Sequence, residues 1–421
     1  MENEYCLIGP ISQLITLSDL AEKGPLGDEV LQPVLQAGIL MQGDLIYKTG
    51  PYNDLLEDAN RLEATKILLE GDHVCIPGFI DAHTHICFAG SRANDYAMRN
   101  AGKSYLEISL AGGGIWDTVK ATRQASLTEL TALTQARANK HLQEGVTTIE
   151  VKSGYGLSVE EELKMLRAIA AANKETEADL IPTCLAAHTL PKDFEGTHEK
   201  YLQQISQELF PVIQKENLTT RIDAFIEQGA FSAEVIRPYF VIAQQYGFSI
   251  TVHADQFSPG GSAVAVDFNA ISADHLEASG DPEINLLANS EVVSVALPGA
   301  SLGLGCPFTP ARKILDAGGC LAIASDWNPG SAPMGDLLMQ ASILGTFQKL
   351  SNAEVWAGIT FRAAKALNLY DRGQLIPGML ADFNLFATSN HQEILYQQGK
   401  LKPVQVWKNG KCVHSNLKNE L

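Results

Sequence analysis

The stretch Phe79-Ile80-Asp81-Ala82-His83-Thr84-His85 decides how this chain is read. It is an apolar run that ends in His-x-His. Side chains alternate along a β-strand, so His83 and His85 point to one face. Two imidazoles on one face, at the end of a buried strand, make half of a metal site. Two later runs end in the same way, Val252-His253-Ala254-Asp255 and Ala324-Ser325-Asp326. Three His and one carboxylate suffice to hold one divalent metal and leave a place for water.

Outward from that stretch, strand-like and helix-like segments alternate. Strands are predicted at Ile76 to His85, Val146 to Lys152, Leu180 to His188, Arg221 to Glu227, Ser249 to Asp255, Ile271 to His275, Val292 to Leu297 and Cys320 to Asp326. Helical periodicity covers Ile115 to Gln124, Leu127 to Glu144, Glu160 to Asn173, His198 to Lys215 and Ala233 to Tyr246. Eight βα units predict an α/β fold, a closed (β/α)8 TIM barrel. His83, His85, Lys152, His188, Glu227, His253, His275 and Asp326 all fall at the C-terminal ends of these strands. Barrel active sites are built at that face.

Residues 1–72 and 376–421 read differently, as short strands between turn signals. Asn409-Gly410, between Trp407 and Val413, is a strong hairpin turn. Both ends of the chain are expected to join in one small β-sandwich domain beside a barrel of residues 73–375.

Composition narrows the function. The chain has 421 residues, 45% hydrophobic and 19% charged, as in an ordinary globular protein. The formal net charge is −18, without a Lys/Arg cluster, which argues against nucleic acid or an anionic membrane as partner. An anionic substrate would need local cations. Seven scattered Cys without C-x-x-C spacing fit reduced thiols in a cytoplasm. The N-terminus lacks the pattern of a signal peptide, and no apolar run is long enough to span a bilayer.

A metal at the strand ends would polarise a carbonyl and lower the pKa of a bound water. Asp326 is placed to accept a proton from that water, and His275 to position it or shuttle protons. Imidazole and carboxylate ligands suit zinc and iron alike.

Several runs carry a resemblance: Pro77 to His85, Phe88-Ala89-Gly90-Ser91-Arg92, Val151-Lys152-Ser153-Gly154-Tyr155-Gly156-Leu157, His253-Ala254-Asp255-Gln256, Ser272 to Glu277, and Ser325-Asp326-Trp327-Asn328-Pro329-Gly330-Ser331. Over nearly its whole length the chain resembles the mononuclear branch of the amidohydrolase superfamily and, within it, the imidazolonepropionase family. The resemblance implies hydrolysis of 4-imidazolone-5-propanoate to N-formimidoyl-L-glutamate in histidine degradation. It implies one divalent or trivalent metal ion, zinc or iron, on His83, His85, His253 and Asp326, and a homodimer. It assigns substrate contacts to Arg92, Tyr155, His188, Gln256, Asn328, Gly330 and Ser331, with Tyr105 as a further candidate. Chemically, Arg92 can take a carboxylate bidentately, and His188 can meet a ring carbonyl or developing oxyanion.

Two-metal relatives bridge their ions with a carboxylated Lys at the end of strand four. Here Glu227 stands there and Lys152 lies on strand two, which favours one metal. Many mononuclear deaminases carry a Glu three residues past the strand-five His. Here it is Gln256, which cannot act as a base, so proton transfer falls to Asp326 and His275. The run Leu302 to Phe308 is less family-like and is expected to reshape one pocket wall. The alternatives are another cyclic amidohydrolase or deaminase of the superfamily, and a non-catalytic scaffold; the complete ligand set speaks against a scaffold. Gly112-Gly113-Gly114 lacks the Gly-x-Gly-x-x-Gly spacing of a dinucleotide site.

Overall fold

The computed structural model describes residues 4–103, 107 and 111–416. Alternating apolar residues at the two ends of the chain build one sheet. β1 (Tyr5–Leu14), β2 (Val34–Gln42) and β3 (Leu45–Pro51) pair antiparallel, while β4 (Thr65–Leu68) and β5 (Val74–Pro77) run parallel to β1. A helix the sequence reading did not foresee, Tyr52–Arg61, lays Tyr52, Leu55 and Ala59 against Leu7 and Leu40.

The eight barrel strands follow: β6 (Phe79–Asp81), β7 (Val146–Lys152), β8 (Asp179–Ala187), β9 (Arg221–Ile226), β10 (Ser249–Ala254), β11 (Ser272–His275), β12 (Val293–Ala296) and β13 (Leu321–Ile323). Each pairs parallel with the next, in chain order. The ring closes just past the ends of its first and last strands. Asp326 N donates to His83 O at 3.0 Å, and His85 N to Trp327 O at 2.9 Å. The residues that close the barrel are thus the ones that carry the site.

β14 (Phe383–Phe386), β15 (Gln405–Lys408) and β16 (Lys411–Ser415) return to the terminal sheet, where β14 pairs antiparallel with β5. Asn409 and Gly410 turn the last hairpin with φ of +50° and +72°, the backbone such a two-residue turn demands. Ile8, Ile39, Ile46, Phe383 and Trp407, from strands of both chain ends, share one core.

Two expectations are corrected. Ile76 to His85 is not one strand: Val74–Pro77 belongs to the terminal sheet and only Phe79–Asp81 to the barrel. Gly78 between them donates to Asp382 O, 2.9 Å away, so the chain changes sheets there. The helix His198 to Lys215 is two helices, His198–Glu208 and Phe210–Glu216, with Pro211 at the start of the second. The run 302–308 is partly helical: Pro298–Leu304 is a helix that stops at Gly305, where φ is +69°.

The barrel interior is charged rather than apolar. On β7, Ile149 and Val151 pack in the main apolar core, while Glu150 and Lys152 meet residues of neighbouring strands inside. Lys152 Nζ lies 2.8 Å from Glu150 Oε2, 2.7 Å from Asp223 Oδ2 and 3.4 Å from Asp274 Oδ2. Below it, Arg221 Nη2 approaches Glu150 Oε1 at 3.3 Å. All five are buried. Charges this deep offset their desolvation only when mutually paired, and this layer is built so.

Candidate metal centre

His83, His85, His253 and Asp326 converge above that charged layer. His85 Nε2 lies 3.2 Å from His83 Nε2 and 3.3 Å from His253 Nε2. Asp326 Oδ1 is 3.4 Å from His85 Nε2 and 3.6 Å from His83 Nε2. Among the groups close enough to hold a metal ion, one joins His83 with His85 and Asp326 and another joins His83 with His253 and His275.

Two carboxylates fix the imidazoles from below. His83 Nδ1–H donates to Asp274 Oδ2 at 2.7 Å, which leaves Nε2 bare toward the centre. Asp223 Oδ2 lies 3.0 Å from His253 Nδ1. Carboxylates in this position orient ligand rings and raise their basicity. Burial drives His83 and His85 well below the usual imidazole pKa, and His253 below it too. Neutral imidazoles are the ligand form. Burial also pushes the Asp326 carboxyl up to about 7, so a full charge there calls for a cation beside it. This donor set fits a metal ion.

The backbone is bent at two residues of the centre. His275 (φ +84°) and Asp326 (φ +51°) both sit at positive φ, uncommon for non-glycine residues although Asp and His tolerate it best. On β11 the bend lets two successive residues reach the centre. Asp274 bonds to His83, and the His275 ring lies 5.8 Å from that of His83 and 5.4 Å from that of His253. Glu277 Oε1 is 3.5 Å from His275 Nδ1. Burial disfavours the His275 imidazolium, but Glu277, joined by Asp326 and Asp274, outweighs it and lifts the pKa above the usual value.

A cavity of about 630 Å³ opens over the centre. Arg92, Tyr155, His188, Gln256, Asn328, Gly330 and Ser331 all line it, as do Leu304 and Cys306 from the 302–308 run. Tyr105 lies outside the described residues. Burial raises the Tyr155 pKa, so its hydroxyl stays a donor. The loop bearing it is pinned by a residue the sequence reading missed. Glu162 accepts from Gly154 N at 3.0 Å, Gly156 N at 2.8 Å and Leu157 N at 2.7 Å. Gly154 takes φ +106° there, and a Cβ would stand 3.0 Å from His188 Nδ1.

Two expected roles change in detail. His188 Nδ1 lies 2.9 Å from Gly154 O, so it carries the proton and donates. Burial lowers its pKa to about 4, so the ring is neutral and Nε2 is an acceptor, not an oxyanion donor. The Asn328 side chain is consumed within its own turn. Its Nδ2 donates to Asp326 O and Ser331 Oγ, both at 2.8 Å, and its Oδ1 accepts from Gly330 N at 2.7 Å and Ser331 N at 2.8 Å. It shapes the Asp326 loop instead of reaching out. Glu227, expected at the end of strand four, holds the 256–258 loop by accepting from Phe257 N at 2.8 Å and Ser258 N at 3.0 Å. Lys152 is raised above the usual Lys pKa, because Asp223, Glu150 and Asp274 outweigh its burial. It is an ammonium, which does not bridge metals.

Among the described residues, no helix is long and apolar enough to cross a membrane. The model of the amidohydrolase family matches residues 74–413. An imidazolonepropionase of Bdellovibrio bacteriovorus is 40% identical over 416 residues, covering 98% of this chain and 97% of that one. One of Bacillus cereus is 37% identical over 411 residues, with 96% of each covered. Among solved structures, an atrazine chlorohydrolase of Arthrobacter aurescens complexed with zinc superposes with a TM-score of 0.72 at 17% identity, covering 98% of this chain and 95% of that one. That likeness concerns the fold alone. By the two relatives and the family match, this chain belongs to the amidohydrolases and, within them, to the imidazolonepropionase family.

Proposed function

We propose that the chain hydrolyses the ring amide of 4-imidazolone-5-propanoate to N-formimidoyl-L-glutamate, using one zinc or iron ion held by His83, His85, His253 and Asp326. The observation that carries this is the convergence of three neutral imidazoles and one carboxylate beneath a cavity lined by Arg92 and Tyr155. When bound, the ion supplies Lewis acidity and makes a water acidic enough to attack at neutral pH.

The chain's own groups do the rest. Arg92 holds the propanoate, with Nε already steadied on Asp95 Oδ2 at 2.8 Å, so its outer N–H groups face the ligand. Tyr155 donates its hydroxyl to the substrate. His188 Nε2 accepts from a ring N–H, and the Gln256 amide bonds the ring. Ser331 Oγ, 3.4 Å from Asp326 Oδ2, steadies that carboxylate. Asp326 takes the proton of the attacking water. His275, kept basic by Glu277, passes a proton to the departing ring nitrogen. Water adds across the amide C–N bond, giving the new carboxylate and the formimidoyl amine. The same reading places the chain in the cytoplasm.

Turnover of freshly prepared 4-imidazolone-5-propanoate, followed as loss of its ultraviolet absorbance, tests the reading. Rapid loss with the intact chain and none with Asp326→Asn is expected. A folded, metal-loaded chain that leaves the substrate untouched sinks it.

A further inference from the structure

Two guanidinium groups meet at one glycine in the cavity wall, and the proposed chemistry so far uses only one of them. Arg92 caps the helix Ala93–Asn100, and Arg99 lies seven residues on, two turns along the same face. Gly330 stands between them. A Cβ at Gly330 would lie 2.4 Å from Arg92 Nη1, and Gly330 O accepts from Arg99 Nη2 at 3.3 Å. Both arginines line the cavity.

Their charges are not balanced. Arg92 pairs with Asp95, and Lys103 with Glu107. Arg99 forms no ion pair among the described residues. Its one hydrogen bond goes to the Gly330 carbonyl, and its Nε is buried with no hydrogen-bond partner among them. The Tyr96 ring, 5.9 Å from the guanidinium carbon, supplies only a weak cation–π contact. The carboxylates that share the cavity are engaged elsewhere: Glu227 holds the 256–258 loop, and Asp326 belongs to the metal centre. Two cations and one buried acid at a single point leave room for one more anion.

The geometry points to Arg99 as the second cation of the substrate's carboxylate site: Arg92 and Arg99, brought together at Gly330, clamp the propanoate tail and select for substrates that carry a charged side chain. This rests on the proposed reaction only for the identity of the tail. The charge imbalance itself belongs to the chain. It also explains how a protein of net charge −18 admits an anion to its centre.

The test is direct binding, independent of turnover. Imidazole-4-propanoate and its uncharged amide are titrated by calorimetry into the metal-loaded intact chain, Arg99→Met and Arg99→Lys. The intact chain should prefer the carboxylate over the amide. Arg99→Met should bind the carboxylate about tenfold to a hundredfold more weakly, as for a lost charge-assisted hydrogen bond. Its affinity for the amide should hold, and Arg99→Lys should recover part of the preference. An intact chain indifferent to tail charge, or a preference that survives in Arg99→Met, overturns the inference. Equal weakening of both ligands in both variants also overturns it, since that marks a structural role. If the preference behaves as expected but imidazolone turnover fails, the clamp stands and the reaction assignment falls.

Discussion

His83 Nδ1 donates a 2.7 Å hydrogen bond to Asp274 Oδ2, whose same oxygen lies 3.4 Å from the ammonium of Lys152. The candidate metal centre is therefore wired into the charged layer that fills the barrel beneath it. His253 meets the layer through Asp223 in the same way. The hub sets where the ligand nitrogens point.

The first expectation follows from that wiring. Asp274→Asn keeps the shape but removes the charge that orients His83. Metal affinity should drop about tenfold to a hundredfold. Equilibrium dialysis against a chelator, with metal counted in the retained protein, checks this. Unchanged affinity would show that His83 is held by packing alone.

Lys152→Met should act first on stability. It strands Glu150, Asp223 and Asp274 in the interior without their shared cation. A loss of about 3–5 kcal/mol is expected, as for a broken buried pair. Denaturant unfolding measures it. A variant as stable as the parent would mean that Arg221 alone balances the layer.

Glu277→Gln should separate binding from proton transfer. Glu277 raises the His275 pKa. Without it the imidazolium deprotonates at lower pH, so the alkaline limb of kcat should shift toward acid. KM should move little, because Glu277 does not line the cavity. A parallel fall in kcat at all pH values, with no shift of the limb, would remove His275 from proton transfer.

His188 gives a pH effect on folding. Its folded pKa, about 4, is below the usual 6.5, so the unfolded chain binds more protons between those values. The contribution of a neutral His188 is fully present above the unfolded pKa and is lost as pH falls through this window. Relative to His188→Gln, the parent should lose stability faster on acidification from about 6.5 toward 4. A difference between the two that stays constant with pH would show that folding leaves the His188 pKa at its unfolded value.

Much of this is legible in the sequence, for a definite reason. His83, His85, His253 and Asp326 each follow an apolar run, so strand periodicity alone puts them at one end of a parallel sheet. Asn409-Gly410 is legible because its turn needs left-handed backbone at both residues. The charged layer is not legible in the same way. Glu150, Asp223 and Asp274 alternate with apolar residues, a pattern that elsewhere marks a solvent-facing strand; only closure of the ring turns that face inward. Glu162 and the loop-holding role of Glu227 are not legible because their partners are backbone N–H groups of loops, which no spacing reveals. Arg99 lies on a helix where a charge reads as surface, until Gly330 from the far end of the barrel is brought against it.

One ion, held by His83, His85, His253 and Asp326, is proposed to drive the hydrolysis. The most direct measurement reloads the metal-stripped chain with zinc or iron in small steps and reads bound metal and imidazolone turnover on the same samples. Turnover should be absent at the start, rise in proportion to bound metal and level off at one ion per chain. Turnover by the stripped chain, or a rise that continues to two ions, would contradict the account.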